Sequence, residues 1–81
     1  MPTLFRVGPY RVVVYFNDHD PAHVHAVGAG GHAKFELGKM PDDVALVETF
    51  GISTPALRRI AAEIVDRHPE CRTGWRKCRG N

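Results

Sequence analysis

The chain has 81 residues, 43% of them hydrophobic, with two cysteines and a formal net charge of +2. This length makes one domain over residues 1–81, whose modest core leaves stability marginal unless a metal, a partner or a homo-oligomer contributes. The longest apolar run, Val12 to Phe16, is far too short to cross a bilayer. Met1-Pro2-Thr3 lacks the basic run and apolar stretch of a secretory signal, so a soluble cytoplasmic protein is expected. Cys71 and Cys78 lie on one face of a helix-like stretch, about 10 Å apart along its axis. They are too far apart to bridge and read as free thiols in a reducing compartment.

In chain order, Thr3 to Arg6 is a short extended start that Gly8-Pro9 turns. Tyr10 to Phe16 is β-branched and aromatic, apolar on both faces, and reads as a central strand. Asn17 to Ala22 is a loop of turn residues. His23–Val27 and His32–Leu37 read as two more strands, joined by Gly28-Ala29-Gly30-Gly31 as a tight hairpin. In the second of these, Ala33, Phe35 and Leu37 alternate with His32, Lys34 and Glu36, so the apolar set faces the core. A two-residue turn at Ala29-Gly30 pairs Ala26 with Ala33 and Val24 with Phe35. It sets His25 opposite Lys34 and His23 opposite Glu36 on the outward face. A slip of one residue would bury the histidines and expose Phe35.

Gly38 to Asp43 is a loop. Val44 to Thr49 fits a fourth strand or a short helix, with the strand favoured. Ser53-Thr54-Pro55 is a helix start, and Leu57, Ile60, Ala61, Ile64 and Val65 form its apolar stripe. Arg59–Glu63 and Glu63–Arg67 are four-apart pairs on its solvent side. His68-Pro69 must kink this helix or open a second one, and the stripe continues through Cys71, Trp75 and Cys78. Trp75 reads as a packing anchor. The expected fold is α+β: an antiparallel sheet of three to four strands, with one long kinked or two short C-terminal helices on one face.

Charge is uneven. Residues 1–57 carry four bases and six acids, about −2; residues 58–81 carry seven bases and three acids, about +4. The basic end, beginning at Arg58 and Arg59, suits phosphate or an acidic partner, or is a solvated helix face.

The densest chemistry is Asn17-Asp18-His19-Asp20-Pro21-Ala22-His23-Val24-His25, with three of the five histidines in nine residues. Three readings compete. In the first, His23 and His25 leave one strand face and His19 or Asp20 closes a third position, a set suited to zinc, nickel or ferrous iron. In the second, the same face works on RNA without metal. Glu36 or one histidine takes the 2′ proton, another histidine or Tyr15 protonates the leaving oxygen, and Lys34 or Arg11 holds the phosphate. In the third, Asp18 and Asp20 cap the loop through Asx turns and the histidines are architectural. His32 and His68 read as ordinary surface residues.

The order of motifs resembles a small bacterial family known as domain of unknown function 4160. The resemblance rests on Met1-Pro2-Thr3-Leu4-Phe5-Arg6, the Asn17–His25 stretch, Ala33-Lys34-Phe35, Leu57-Arg58-Arg59-Ile60 and Trp75. The stretch matches an Asn-(Asp/Glu)-His-x-Pro-Pro-His-Val-His signature, with Ala22 in place of the second proline. The tail after His68, with Pro69 and the cysteines, also departs from the family's acidic, helix-favouring ending. The resemblance implies no settled activity. It implies one half of a two-gene cassette beside a domain of unknown function family 2442 protein, a toxin–antitoxin-type arrangement with this chain in the toxin place and the partner covering the histidine face.

Overall fold

The computed structural model describes residues 2–16 and 18–79. Five strands run in an antiparallel meander in the order of the chain: β1 (Thr3–Val7), β2 (Tyr10–Val13), β3 (His23–Gly28), β4 (Gly31–Glu36) and β5 (Ala45–Phe50). A 3-10 turn, Pro41–Asp43, precedes β5. Helices α1 (Thr54–Asp66) and α2 (His68–Cys78) follow and pack on one face. The protein is thus an α+β fold with five strands rather than three to four. The extra one is the extended start, which Gly8-Pro9 folds back onto β2 with Val7 opposite Tyr10.

Alternation decides what the sheet buries. Val12, Val24, Ala26, Ala33, Phe35 and Leu37 point toward the helices and join Ile60, Ile64, Cys71 and Trp75 in one core. The β3–β4 register is Val24↔Phe35, Ala26↔Ala33, His25↔Lys34 and His23↔Glu36, as the side-chain pattern requires. The turn residues Ala29 and Gly30 both have positive φ, 48° and 76°. That left-handed pair matches the twist of a two-residue hairpin. Gly28 has no room for a side chain, because an added Cβ would fall 2.3 Å from the Pro9 carbonyl oxygen.

Ser53 Oγ caps α1 by accepting from the Ala56 amide at 3.3 Å. Glu63 pairs with Arg67 at 3.4 Å. The helix ends at Asp66, and Pro69 sits in the first turn of α2, so the proline opens a second helix. His68 is buried, 3% exposed, which corrects its expected surface position. Its Nε2 donates to the Leu37 carbonyl at 2.9 Å, and Arg72 Nη1 donates to the Gly38 carbonyl at 2.8 Å. These two bonds fix α2 to the end of β4. Both cysteines are free and buried, and burial pushes the Cys71 thiol up to about 11.

Ala29 occupies a backbone region that costs an L-residue about 1–2 kcal/mol. Replacing it with glycine removes that strain at some cost in unfolded-chain entropy. Ala29→Gly is therefore expected to raise unfolding stability by about 0.5–1 kcal/mol, read by urea denaturation. A loss of stability would contradict the turn geometry.

Candidate metal centre

β3 presents His23 and His25 on the face opposite Val24 and Ala26, which take the core side, although His23, at the start of the strand, also meets Trp75 of α2. Val13 of β2 flanks His25 on one side and Lys34 of β4 on the other. The segment between β2 and β3 folds back over this face. Tyr15 packs on His25 with ring centroids 4.4 Å apart, and Asp18 reaches both histidines. Val13 is fully buried, and His23 and His25 are 4% and 9% exposed. The histidines therefore lie under a covering loop, which corrects the expectation of an open outward surface.

Several contacts hold that loop in place. Asp20 accepts from Arg79 at 3.0 Å, the Leu37 amide donates to the Ala22 carbonyl at 2.9 Å, and Trp75 packs on His23 with centroids 4.8 Å apart. The Asp20–Pro21 peptide is cis.

The hydrogen positions follow from the partners. His23 Nδ1 lies 2.9 Å from the Pro21 carbonyl oxygen, which can only accept, so Nδ1 carries the proton. In the neutral ring, Nε2 is then unprotonated, and it lies 2.9 Å from Asp18 Oδ2. The same oxygen lies 3.7 Å from His25 Nε2. Asp18 Oδ2 is buried and has no hydrogen-bond partner among the described residues. Burial, reinforced by His23 and His32, lowers the His25 pKa to about 4; Asp18 opposes this and Lys34 adds to it. His25 is therefore a neutral ring at neutral pH. Its Nδ1 lies 3.0 Å from His32 Nε2.

One ligand atom each from Asp18, His23 and His25 falls within 4.8 Å of the others. The predicted residues are distributed around this set. His19 and Asp20 stand outside it: His19 is exposed, and Asp20 bonds Arg79. Tyr15 and Lys34 border His25, and Glu36 lies across from His23. Arg11 lies opposite Val27, one rung farther along the face. Arg58 and Arg59 are exposed on α1, in the helix layer on the other side of the sheet, so they do not share a surface with Lys34.

Sequence reasoning missed two participants. Asp18 stands at the acidic position of the signature, whereas Asp20 stands at its unrestricted position; that difference was the available signal. His32 is half-buried and bonded to His25, not an ordinary surface residue. The β3–β4 register makes it the diagonal neighbour of His25, within reach of a ring.

A model of the family described as domain of unknown function (DUF4160) matches residues 10–76. The chain belongs to the DUF4160 family. No curated protein and no solved structure matches it. The match spans the covering loop, both site strands and most of α2, so every group of the centre lies inside the DUF4160 domain.

The donor set of this DUF4160 chain is two imidazoles and one carboxylate, which suits a divalent transition metal. His23 already meets one requirement of a metal-ligating histidine: its second nitrogen donates to a backbone carbonyl, fixing tautomer and ring orientation. Long-range nitrogen–proton NMR spectra of the metal-free protein at neutral pH are expected to show His23 protonated at Nδ1. A bare Nδ1 would contradict the assigned bond to Pro21.

Proposed function

We propose that this DUF4160 chain is a metal-binding module that holds one divalent transition-metal ion, zinc, nickel or ferrous iron, between Asp18, His23 and His25. The observation that carries the reading is the 2.9 Å approach of His23 Nε2 to a buried carboxylate oxygen that has no hydrogen-bond partner among the described residues. Two acceptors at that distance repel each other unless a cation lies between them or one is protonated. A second proton on His23 would serve Asp18 but leave His25 Nε2, at 3.7 Å, without a role. A metal ion serves all three. Ligand atoms about 2.0–2.1 Å from a tetrahedral zinc lie roughly 3.3 Å apart; Asp18 Oδ2 is already within a few tenths of an ångström of that spacing from both nitrogens, whereas the set as a whole spreads to 4.8 Å, so closure around an ion needs the two imidazoles to draw together. Three protein ligands leave a coordination position for water or substrate, the pattern of reactive zinc sites rather than closed structural ones.

Titration calorimetry of untagged protein with zinc is expected to give one site per chain. Asp18→Ala, His23→Ala and His25→Ala should each weaken it by more than the roughly 10–100-fold that loss of an outer partner costs. His19→Ala should bind as the wild type does, and Asp20→Ala, which removes a loop anchor but no ligand, should lose no more than about 10-fold. No zinc uptake, together with unchanged thermal unfolding in zinc excess, would overturn the reading.

One observation favours a second reading. Tyr15, His25, Lys34, His23 and Glu36 bring a phenol, two imidazoles, a cation and a carboxylate onto neighbouring rungs of one face. Such a set can move protons and hold phosphate. In this reading the chain is the toxin-like member of a toxin–antitoxin-type pair acting on RNA, silenced by a partner of the family 2442 type. Expression of the chain alone should then slow growth, with relief by His23→Ala. Purified protein in chelator should cleave total RNA unless His25 is replaced by alanine. Normal growth and intact RNA with folded protein would remove it.

A further inference from the structure

We propose that His32 is a positioning residue for the centre: it decides which nitrogen of His25 carries the proton, and so whether His25 can take a metal. The inference rests on the metal-binding reading. His25 Nδ1 and His32 Nε2 face each other at 3.0 Å, hydrogen-bond distance for one shared proton. There are two arrangements. In one, His25 Nδ1–H donates to His32 Nε2, and His25 turns a bare Nε2 toward Asp18 and His23. In the other, His32 Nε2–H donates to His25 Nδ1, and His25 Nε2 carries hydrogen toward Asp18 Oδ2, 3.7 Å away. Only the first arrangement gives the metal a lone pair. The exchange switches the tautomer of both neutral rings: the shared proton passes from His25 Nδ1 to His32 Nε2, His32 gives up its Nδ1 proton and His25 takes one at Nε2, so the total charge is unchanged.

His32 is well placed for this task. It lies between Val27 and Phe50 in the ladder. Thr49 Oγ1 donates to its backbone carbonyl at 3.0 Å, and the Phe50 ring packs on its imidazole with centroids 5.7 Å apart. The ring is thus held against His25 from the β5 side. His23 takes its orientation from a carbonyl, which only accepts. His25 takes its own from an imidazole, which can accept or donate, so the two ligands of one strand differ in whether their tautomer is fixed.

Two substitutions separate the arrangements. Glutamine offers an amide oxygen that accepts from His25 Nδ1–H, whereas a lysine ammonium only donates and drives the proton to His25 Nε2. His32→Gln is expected to keep zinc affinity close to that of the wild type. His32→Lys should lose about 10–100-fold, the range for an outer partner of a ligating histidine. Nitrogen NMR of His25 supplies a readout that packing or added charge would not move. Nδ1 should be protonated in the zinc-loaded wild type and bare in metal-free His32→Lys. A His32→Lys protein that binds zinc like the wild type, or a protonated His25 Nδ1 in that variant, would overturn the proposal. If the wild type takes no zinc, the metal reading fails, and the His32→Lys spectrum still decides whether position 32 sets the tautomer.

Discussion

The β3–β4 register is the constraint on which the rest of the molecule depends. Val24 and Ala26 must face the helices, because among the described residues the core formed with Phe35, Ile64 and Trp75 is the one large apolar cluster. With period-two alternation, His23 and His25 then leave the opposite face together, and Lys34 and Glu36 stand beside them. The chemistry of that face follows from hydrophobic burial on the other. A one-residue slip would expose Phe35, at a cost of about 1.5–3 kcal/mol for that side chain alone. The histidine pair is therefore held in place by core packing before any contact it makes itself.

The covering loop turns a strand face into a site. Residues 14–16 and 18–22 return across the sheet instead of leaving it, with Tyr15 against His25 and Asp18 near both imidazoles. Burial changes what those rings are. In water, an imidazole is half-charged at about pH 6.5; under this loop the His25 pKa falls to about 4, and the ring keeps a lone pair that a metal or a proton donor can use. The loop is anchored by the Arg79–Asp20 pair and by the Leu37 amide on the Ala22 carbonyl, and Trp75 packs on His23 where β3 begins. The C-terminal helix thereby takes part in positioning the centre as well as in forming the core.

Much of this was legible in the sequence because it is local or periodic. The hairpin turn at Ala29-Gly30, the inward set of β4, the helix start at Ser53 and the role of Trp75 are written in alternation, in turn residues and in the 3.6-residue stripe. What was not legible depends on where a loop goes after it leaves a strand. Asp18, His19 and Asp20 are equivalent as letters in a loop; only the path over β3 selects Asp18 and turns Asp20 toward Arg79. His68 was illegible for a related reason. Beside a proline at a helix junction it looks exposed, and only the docking of α2 against the end of β4 gives its ring the Leu37 carbonyl. Arg58 and Arg59 show a further limit, since their charge says nothing about which side of the sheet α1 occupies.

A metal at this centre would add little to the fold through chain entropy. Joining position 18 to 23 and 25 closes a loop of only a few residues, and the closure term grows slowly with length, by about 0.6 kcal/mol per doubling. A structural staple would do more by linking the loop to α2 or β5. The larger local term is the buried carboxylate oxygen: an unpaired polar group removed from water costs several kcal/mol if charged, and a cation between it and two neutral imidazoles removes that cost. By this argument an ion here chiefly satisfies Asp18, and one of its coordination positions stays free of protein. Three donors, a short closed loop and an open position would be the attributes of a centre that exchanges or activates a ligand, and would set it apart from the four-ligand sites that hold small folds together.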